Sequence, residues 1–194
     1  MRHTPNFAGW HASILHRSDS NAEKLLRQLN LLGLTTDLSW KPLAEAAKPD
    51  LVLVDADQGW DELLPWNATR YAPCPVVALL GSEAPSRIEW AMKMGAGAIL
   101  AKPIVTSAIY PAVVMAIAVH GERRLVQERI GALEERIRMR PLVHHAVTAL
   151  MTERRLSEED AYALLRSEAM RRRETLEAAA VSYLARRDVV PKVI

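Results

Sequence analysis

The chain has 194 residues, 49% apolar and 25% charged, an ordinary composition for a folded protein and enough for one large domain or two small ones. Its formal net charge is only +2, too small to signal nucleic-acid binding by itself, so that function must be read from where the charges sit. A single cysteine, Cys74 between Pro73 and Pro75, excludes an intramolecular disulfide and any multi-thiolate metal site, and fits a reducing compartment.

The N-terminal "MRHTPNFAGW" has no apolar core suited to a signal peptide. No apolar run approaches the roughly 20 residues that span a bilayer. The expectation is a cytoplasmic protein without a membrane partner. The first strands are "WHASIL" (10–15) and "LVLVD" (51–55), short apolar runs bounded by polar stretches. Between them "NAEKLLRQLNLLGL" sets Leu25, Leu29 and Leu32 on one helical stripe and stops at Gly33. Then come "VVALL" (76–80), the helical "SRIEWAMKMGA" (86–96), "GAIL" (97–100) and "KPI". Strands alternating with helices imply a parallel sheet covered on both faces. Of the tryptophans at 10, 40, 60, 66 and 90, Trp60 and Trp66 are candidates for an exposed docking patch; core packing is the default for each.

Beyond Pro111 the pattern becomes one long helix without internal proline until Pro141. Val119, Val126, Ile130, Leu133 and Ile137 follow the intervals of a coiled-coil seam. Arg123 and Arg140 fall at core-type positions of that repeat, and Gly121 and Gly131 weaken the helix by roughly 1 kcal/mol each. Such a seam on a monomer would face water, so a homodimer through a parallel coiled coil is expected.

A new helix is expected to start at Pro141, a residue suited to a first turn, with Val143, Val147 and Leu150 on one face. "SEEDAYALLRSEAM" opens with a capping box, Ser157 and Asp160, and buries Ala161, Leu164, Leu165 and Ala169. Tyr162 matches this buried stripe by spacing. A last helix uses Leu176, Ala180 and Leu184. Cations gather around the middle helix: Arg154 and Arg155 before it, Arg166 on it, Arg171, Arg172 and Arg173 at its end. Successive helical residues stand about 100° apart, so the last three cannot share a face, and a solvated surface is the usual fate of such charge.

Signals for catalysis, metals or cofactors are absent. The adjacent His144 and His145 diverge too far to share a metal, His11 and His16 lack a nearby glutamate or cysteine, and there is neither a glycine-rich phosphate loop nor a nucleophile elbow.

The N-terminal spacing resembles a response-regulator receiver domain. That family places an acidic pair after the first strand, a phosphorylatable aspartate at the end of the third, a Thr or Ser at the end of the fourth, and a lysine before proline at the end of the fifth. Here the aspartate falls on Asp55 and the lysine on Lys102 of "AKPI", but the acidic pair falls on His16 and Arg17 and the hydroxyl position on Leu80. Phosphorylating a carboxylate needs Mg²⁺ held by carboxylate oxygens, which imidazole and guanidinium cannot supply. The expectation is a pseudo-receiver with a degenerate phosphoacceptor site of Asp55, Lys102, His16 and Arg17. Either Arg17 pairs with Asp55 as a built-in cation, or Asp55 caps a strand end and Arg17 is solvated.

From Arg140 to Leu184 the chain resembles an ANTAR domain, the RNA-binding module of AmiR/NasT-type antitermination regulators. The residues that carry this are Arg140, Val143, Ala146, Leu150 and Met151, then Leu156, Ser157, Ala161, Tyr162, Leu165, Arg166, Ala169, Met170, Arg173, Leu176 and Ala180. Val147 and Thr148 depart from the family's lysine and glycine. The resemblance implies hairpin loops of leader mRNA as partner, with Arg154, Arg155, Arg166, Arg171, Arg172, Arg173 and Tyr162 as RNA contacts. It also implies control by a ligand-sensing negative regulator protein rather than by phosphorylation. The expected architecture is an α/β doubly wound, flavodoxin-like receiver domain (1–109), a long coiled-coil helix for dimerisation (110–140), and a small all-α three-helix domain (141–194). A DNA-binding transcription factor is the rival reading, disfavoured because the short glycine-containing turn of a helix-turn-helix is missing.

Overall fold

The computed structural model describes residues 6–66 and 71–186. Its first unit holds a five-stranded parallel sheet built from β1 (His11–Leu15), β2 (Thr35–Ser39), β3 (Leu51–Asp55), β4 (Val76–Leu80) and β5 (Ala98–Ala101), in the order β2-β1-β3-β4-β5. Ile14 aligns with Leu53, Val52 with Val76 and Leu79 with Leu100. β3 and β4 are buried along their whole length, which is why they read as unbroken apolar runs rather than alternating ones. β2, "TTDLS", escaped the sequence reading. It pairs only with β1 at the sheet edge and stays partly exposed, so it needs little apolar content.

One sheet face is covered by two helices. α1 (Ser20–Leu31) starts where the Asp19 carboxylate accepts the Asn21 and Ala22 N–H groups. It buries Leu25 and Leu29 with Ile109, Val113 and Ala116 of α3 (Thr106–Arg154). The other face is thinner. α2 (Pro85–Lys93) packs there, but among the described residues β2 connects to β3 without a helix and β3 to β4 with only a 3₁₀ turn at Asp61–Leu63. A parallel sheet must still bury both faces, and tryptophans replace the missing helices. Trp66 and Trp90 are buried in this layer, and Trp40 and Trp60 pack against it, edge to face with each other at 5.4 Å. The Trp66 indole donates to the Met94 carbonyl and the Trp90 indole to the Asp61 carboxylate, each at 3.0 Å. Trp66 is thus a core residue, which corrects its place in the suggested docking patch.

α3 runs unbroken for 49 residues, so Pro141 does not start a new helix. An interior proline removes one N–H donor and crowds the carbonyl four residues back. Here that residue is the exposed Ile137, whose carbonyl has water available. The chain divides into two compact units between Leu125 and Val126, inside this helix.

In the second unit, the end of α3 packs with α4 (Glu158–Arg172) and α5 (Leu176–Ala185). Leu142, Ala146, Leu150, Leu165, Ala180 and Leu184 form the heart of its core. Each buried leucine contributes about 1.5–3 kcal/mol, and the alanines let the helices approach closely. Ser157 caps α4 as expected: its hydroxyl accepts the Asp160 N–H at 3.1 Å and donates to the Asp160 carboxylate at 2.6 Å. Thr175 caps α5 through the Ala178 N–H at 3.2 Å.

Candidate functional site

The parallel sheet delivers the ends of β1, β3 and β5 to one edge. Asp55 lies there, buried, with the Lys102 ammonium 2.8 Å from Oδ1 and His16 Nε2 3.4 Å from Oδ2. His16 Nδ1 donates to the Arg17 carbonyl at 2.6 Å. Lys102 also reaches Asp57, at 2.7 Å. Asp57 Oδ2 accepts the Gly81 N–H at 2.7 Å and Oδ1 the Ser82 N–H at 3.1 Å. Burial works to raise the Asp57 pKa, but the hydrogen bonds from Lys102 and Gly81, the Lys102 charge and the Ser82 N–H outweigh it and hold the carboxyl below its ordinary value. The Lys102 ammonium is opposed by burial in the same way, and its bonds to Asp55 and Asp57 raise it above the usual lysine value.

Arg17 does not pair with Asp55. Its guanidinium sits over the Trp40 ring, 5.9 Å from the centroid. Consecutive residues at a strand end point to opposite sides, so only one of His16 and Arg17 can face Asp55, and His16 does. The donor set does not fit Mg²⁺. Asp55 and Asp57 share a lysine, Asp19 is committed to its helix cap, and among the described residues no group of three potential ligands forms a metal site.

The second unit separates the arginines. Arg171 pairs with Glu168 at 2.7 Å, and its bonds to that carboxylate lower the Glu168 pKa. Arg172 pairs with Glu168 and, at 4.0 Å, with Glu174. Arg173 ends α4 with φ of 56°, and Arg155, just past α3, has φ of 52°. Arg171, Arg172 and Arg154 line one groove with Leu150, Tyr183 and Arg186.

Tyr162 is 44% exposed, which corrects its assignment to the buried stripe. Ala161, Leu165 and Ala169 carry the core contact, and Tyr162, one step of about 100° from Ala161, points out at its margin. It lines a second groove with Arg136, Arg140, Val143, His144 and Leu176. Arg166, exposed and four residues further along α4, shares its side of the helix. Arg136 and His144 were not singled out as site residues from sequence. Their signal is the four-residue spacing Arg136, Arg140, His144, one face of α3; it was masked by reading Pro141 as a helix boundary.

On the exposed part of α3, Val126, Ile130, Leu133 and Ile137 are 41% to 62% exposed. Val119 leaves this stripe. It is half-buried beside Gly97, where an added Cβ would lie 3.2 Å from the valine's own, so it packs within the first unit. Arg123 likewise donates to the Gly95 carbonyl at 3.0 Å. The apolar stripe begins after them. Among the described residues, no helix is long and apolar enough to cross a membrane.

Comparison with known proteins adds to this geometry. Residues 10–117 match the family described as AmiR, N-terminal, and residues 131–182 match the ANTAR domain. The transcriptional regulatory protein PdtaR of Mycobacterium tuberculosis is 33% identical over 142 residues, 71% of this chain and 68% of that protein. The aliphatic amidase regulator of Pseudomonas aeruginosa is 24% identical over 166 residues, 84% of this chain and 85% of that protein. Among solved structures, the signal receiver domain of an HD domain-containing protein from Pseudomonas fluorescens Pf-5 is similar at a TM-score of 0.49, with 15% identity over 64% of this chain and 96% of that one.

Proposed function

Because this chain belongs to the ANTAR-domain regulators with an AmiR-type N-terminal domain, we propose that it is a transcription antiterminator that binds hairpin loops of leader mRNA and keeps a terminator hairpin from forming. It acts as a homodimer joined through the part of residues 110–140 that the first unit leaves free, Val126 to Ile137, with the three-helix module of 141–194 on the RNA. The pseudo-receiver of 1–109 takes its input from a ligand-sensing negative regulator protein rather than from phosphorylation. His16 beside Asp55, and Arg17 turned to Trp40, where a phosphorylatable receiver needs carboxylates for Mg²⁺, support the second half of that point.

The Tyr162 groove carries the RNA reading. An exposed aromatic ring stands beside Arg166 on its own helix and faces Arg140 across the groove. Aromatic rings stack on unpaired bases, and guanidinium groups bind phosphate bidentately and stack as well. A hairpin tip offers splayed bases and phosphates together, whereas duplex DNA keeps its bases stacked. Arg154, Arg171 and Arg172 line the other groove of the same module, and with Arg155 and Arg173 they are assigned to a second RNA contact.

The test is filter retention of hairpin RNA against length-matched duplex DNA at two salt concentrations, with wild type, Tyr162→Ala and Arg166→Ala. Base stacking on an aromatic side chain contributes about 1–3 kcal/mol per base, so Tyr162→Ala should weaken RNA binding by roughly fivefold to over a hundredfold. Arg166→Ala should weaken it and flatten the salt dependence. Preference for duplex DNA, or unchanged affinity in both variants, refutes the assignment.

A further inference from the structure

RNA binding leaves one constellation at the sheet edge unused. Three donors converge on the Asp57 carboxylate: the Lys102 ammonium at 2.7 Å, the Gly81 N–H at 2.7 Å and the Ser82 N–H at 3.1 Å. An ammonium beside consecutive backbone N–H groups is an anion receptor in its own right. The donors come from the end of β5 and from the loop between β4 and α2, while the acceptor follows β3. The carboxylate therefore ties a loop to two strand ends. The approach is close, because a Cβ added at Gly81 would lie 3.2 Å from Asp57 Oδ2 and 3.6 Å from Lys102 Cβ.

We propose that Asp57 is a built-in anion, which occupies the receptor formed by Lys102 and the Gly81 and Ser82 N–H groups and holds the β4–α2 loop permanently in its drawn-in position. A receiver that switched would leave such a receptor open for an anion that comes and goes. Here the anion is part of the chain, so the loop has one state and the edge is a fixed surface. Removing the carboxylate should convert the latch into a binding site for a small free anion. None of this depends on what the second unit binds.

The full chain is compared as wild type, Asp57→Ala and Asp57→Asn by hydrogen exchange at Gly81 and Ser82, with the β1 amides as a control for folding. Loss of charge-assisted hydrogen bonds should speed exchange at these two amides roughly ten- to hundredfold in both variants while β1 stays protected. Inorganic phosphate or acetate should restore protection in Asp57→Ala and leave wild type unchanged. Should Asp57→Ala fail to fold, Asp57→Asn, which keeps the shape and removes the charge, reads the same amides. Unchanged exchange at Gly81 and Ser82 in the folded variants, or a response to phosphate as large in wild type as in Asp57→Ala, overturns the proposal.

Discussion

Arg155 and Arg173 each follow a helix in the left-handed backbone region, at φ of 52° and 56°, where glycine is the usual residue and a side chain costs about 1 kcal/mol or more. A stability optimum would not place arginine there; a surface that needs guanidinium groups would. Arg173→Gly should therefore raise stability by about 1 kcal/mol in thermal unfolding and at the same time weaken hairpin RNA binding. A rise in stability with no loss of affinity would remove Arg173 from the interface. Asp57 makes a prediction with a different sign. Its carboxyl is held below its ordinary value of 3.8, so its stabilising contribution is fully present above that pH and is lost as pH falls through the lower, folded-state value. In urea unfolding, wild type should exceed Asp57→Asn at neutral pH, and the gap should shrink below about pH 3.8. A constant gap would mean that the carboxylate charge contributes nothing. At this scale, Asp55, Lys102 and His16 were placed by the receiver resemblance, but the cation expected at Asp55 was Arg17, and it is His16 that stands there. Asp57 was not legible, because "DADQG" reads as ordinary turn composition, and nothing local shows that Gly81 and Lys102 converge on it.

Elements were legible where burial leaves a pattern. β3 and β4 stood out as unbroken apolar runs and α1 and the capped α4 by helical spacing, while β2 was lost because an edge strand is too polar to stand out. α3 shows both outcomes. Its apolar repeat was visible, yet its continuity through Pro141 was not, since a proline read locally is a helix boundary. The tryptophan count was noticed, but its reason required knowing that, among the described residues, two connections show no α-helix and that Trp40, Trp60, Trp66 and Trp90 cover the sheet face instead. Gly121 and Gly131 lie inside α3, and a Cβ at either meets nothing within 4 Å. Neither has a positive φ. Replacing both by alanine should stabilise the protein by about 1–2 kcal/mol in total, measured by thermal unfolding. A loss of stability would show that one of them is needed for close contact with a partner.

For the whole molecule, the change from β/α alternation to a continuous helix, and then to short capped helices, was enough to read the architecture from sequence. What the pattern could not fix is which stretch of the long helix is free. The structure limits it: Val119 and Arg123 are engaged with the first unit, and the exposed apolar stripe runs from Val126 through Ile130 and Leu133 to Ile137. Four large apolar residues at coiled-coil intervals in water are costly, at about 25 cal/mol per Å² of apolar surface left unburied, and a second copy presenting the same stripe removes that cost symmetrically. Ile130→Glu with Leu133→Glu should therefore give a monomer in sedimentation equilibrium with helix content and the three-helix module retained. Such a monomer separates two contributions to RNA binding. Its affinity for a single hairpin should stay close to wild type, because the Tyr162 groove lies within one chain, whereas its affinity for a two-hairpin leader should fall by roughly 10²-fold or more as the second contact ceases to be intramolecular. If the variant stays dimeric, another surface joins the copies. If it is monomeric yet holds a two-hairpin leader as tightly as wild type, each chain acts alone on RNA and the stripe serves a different partner.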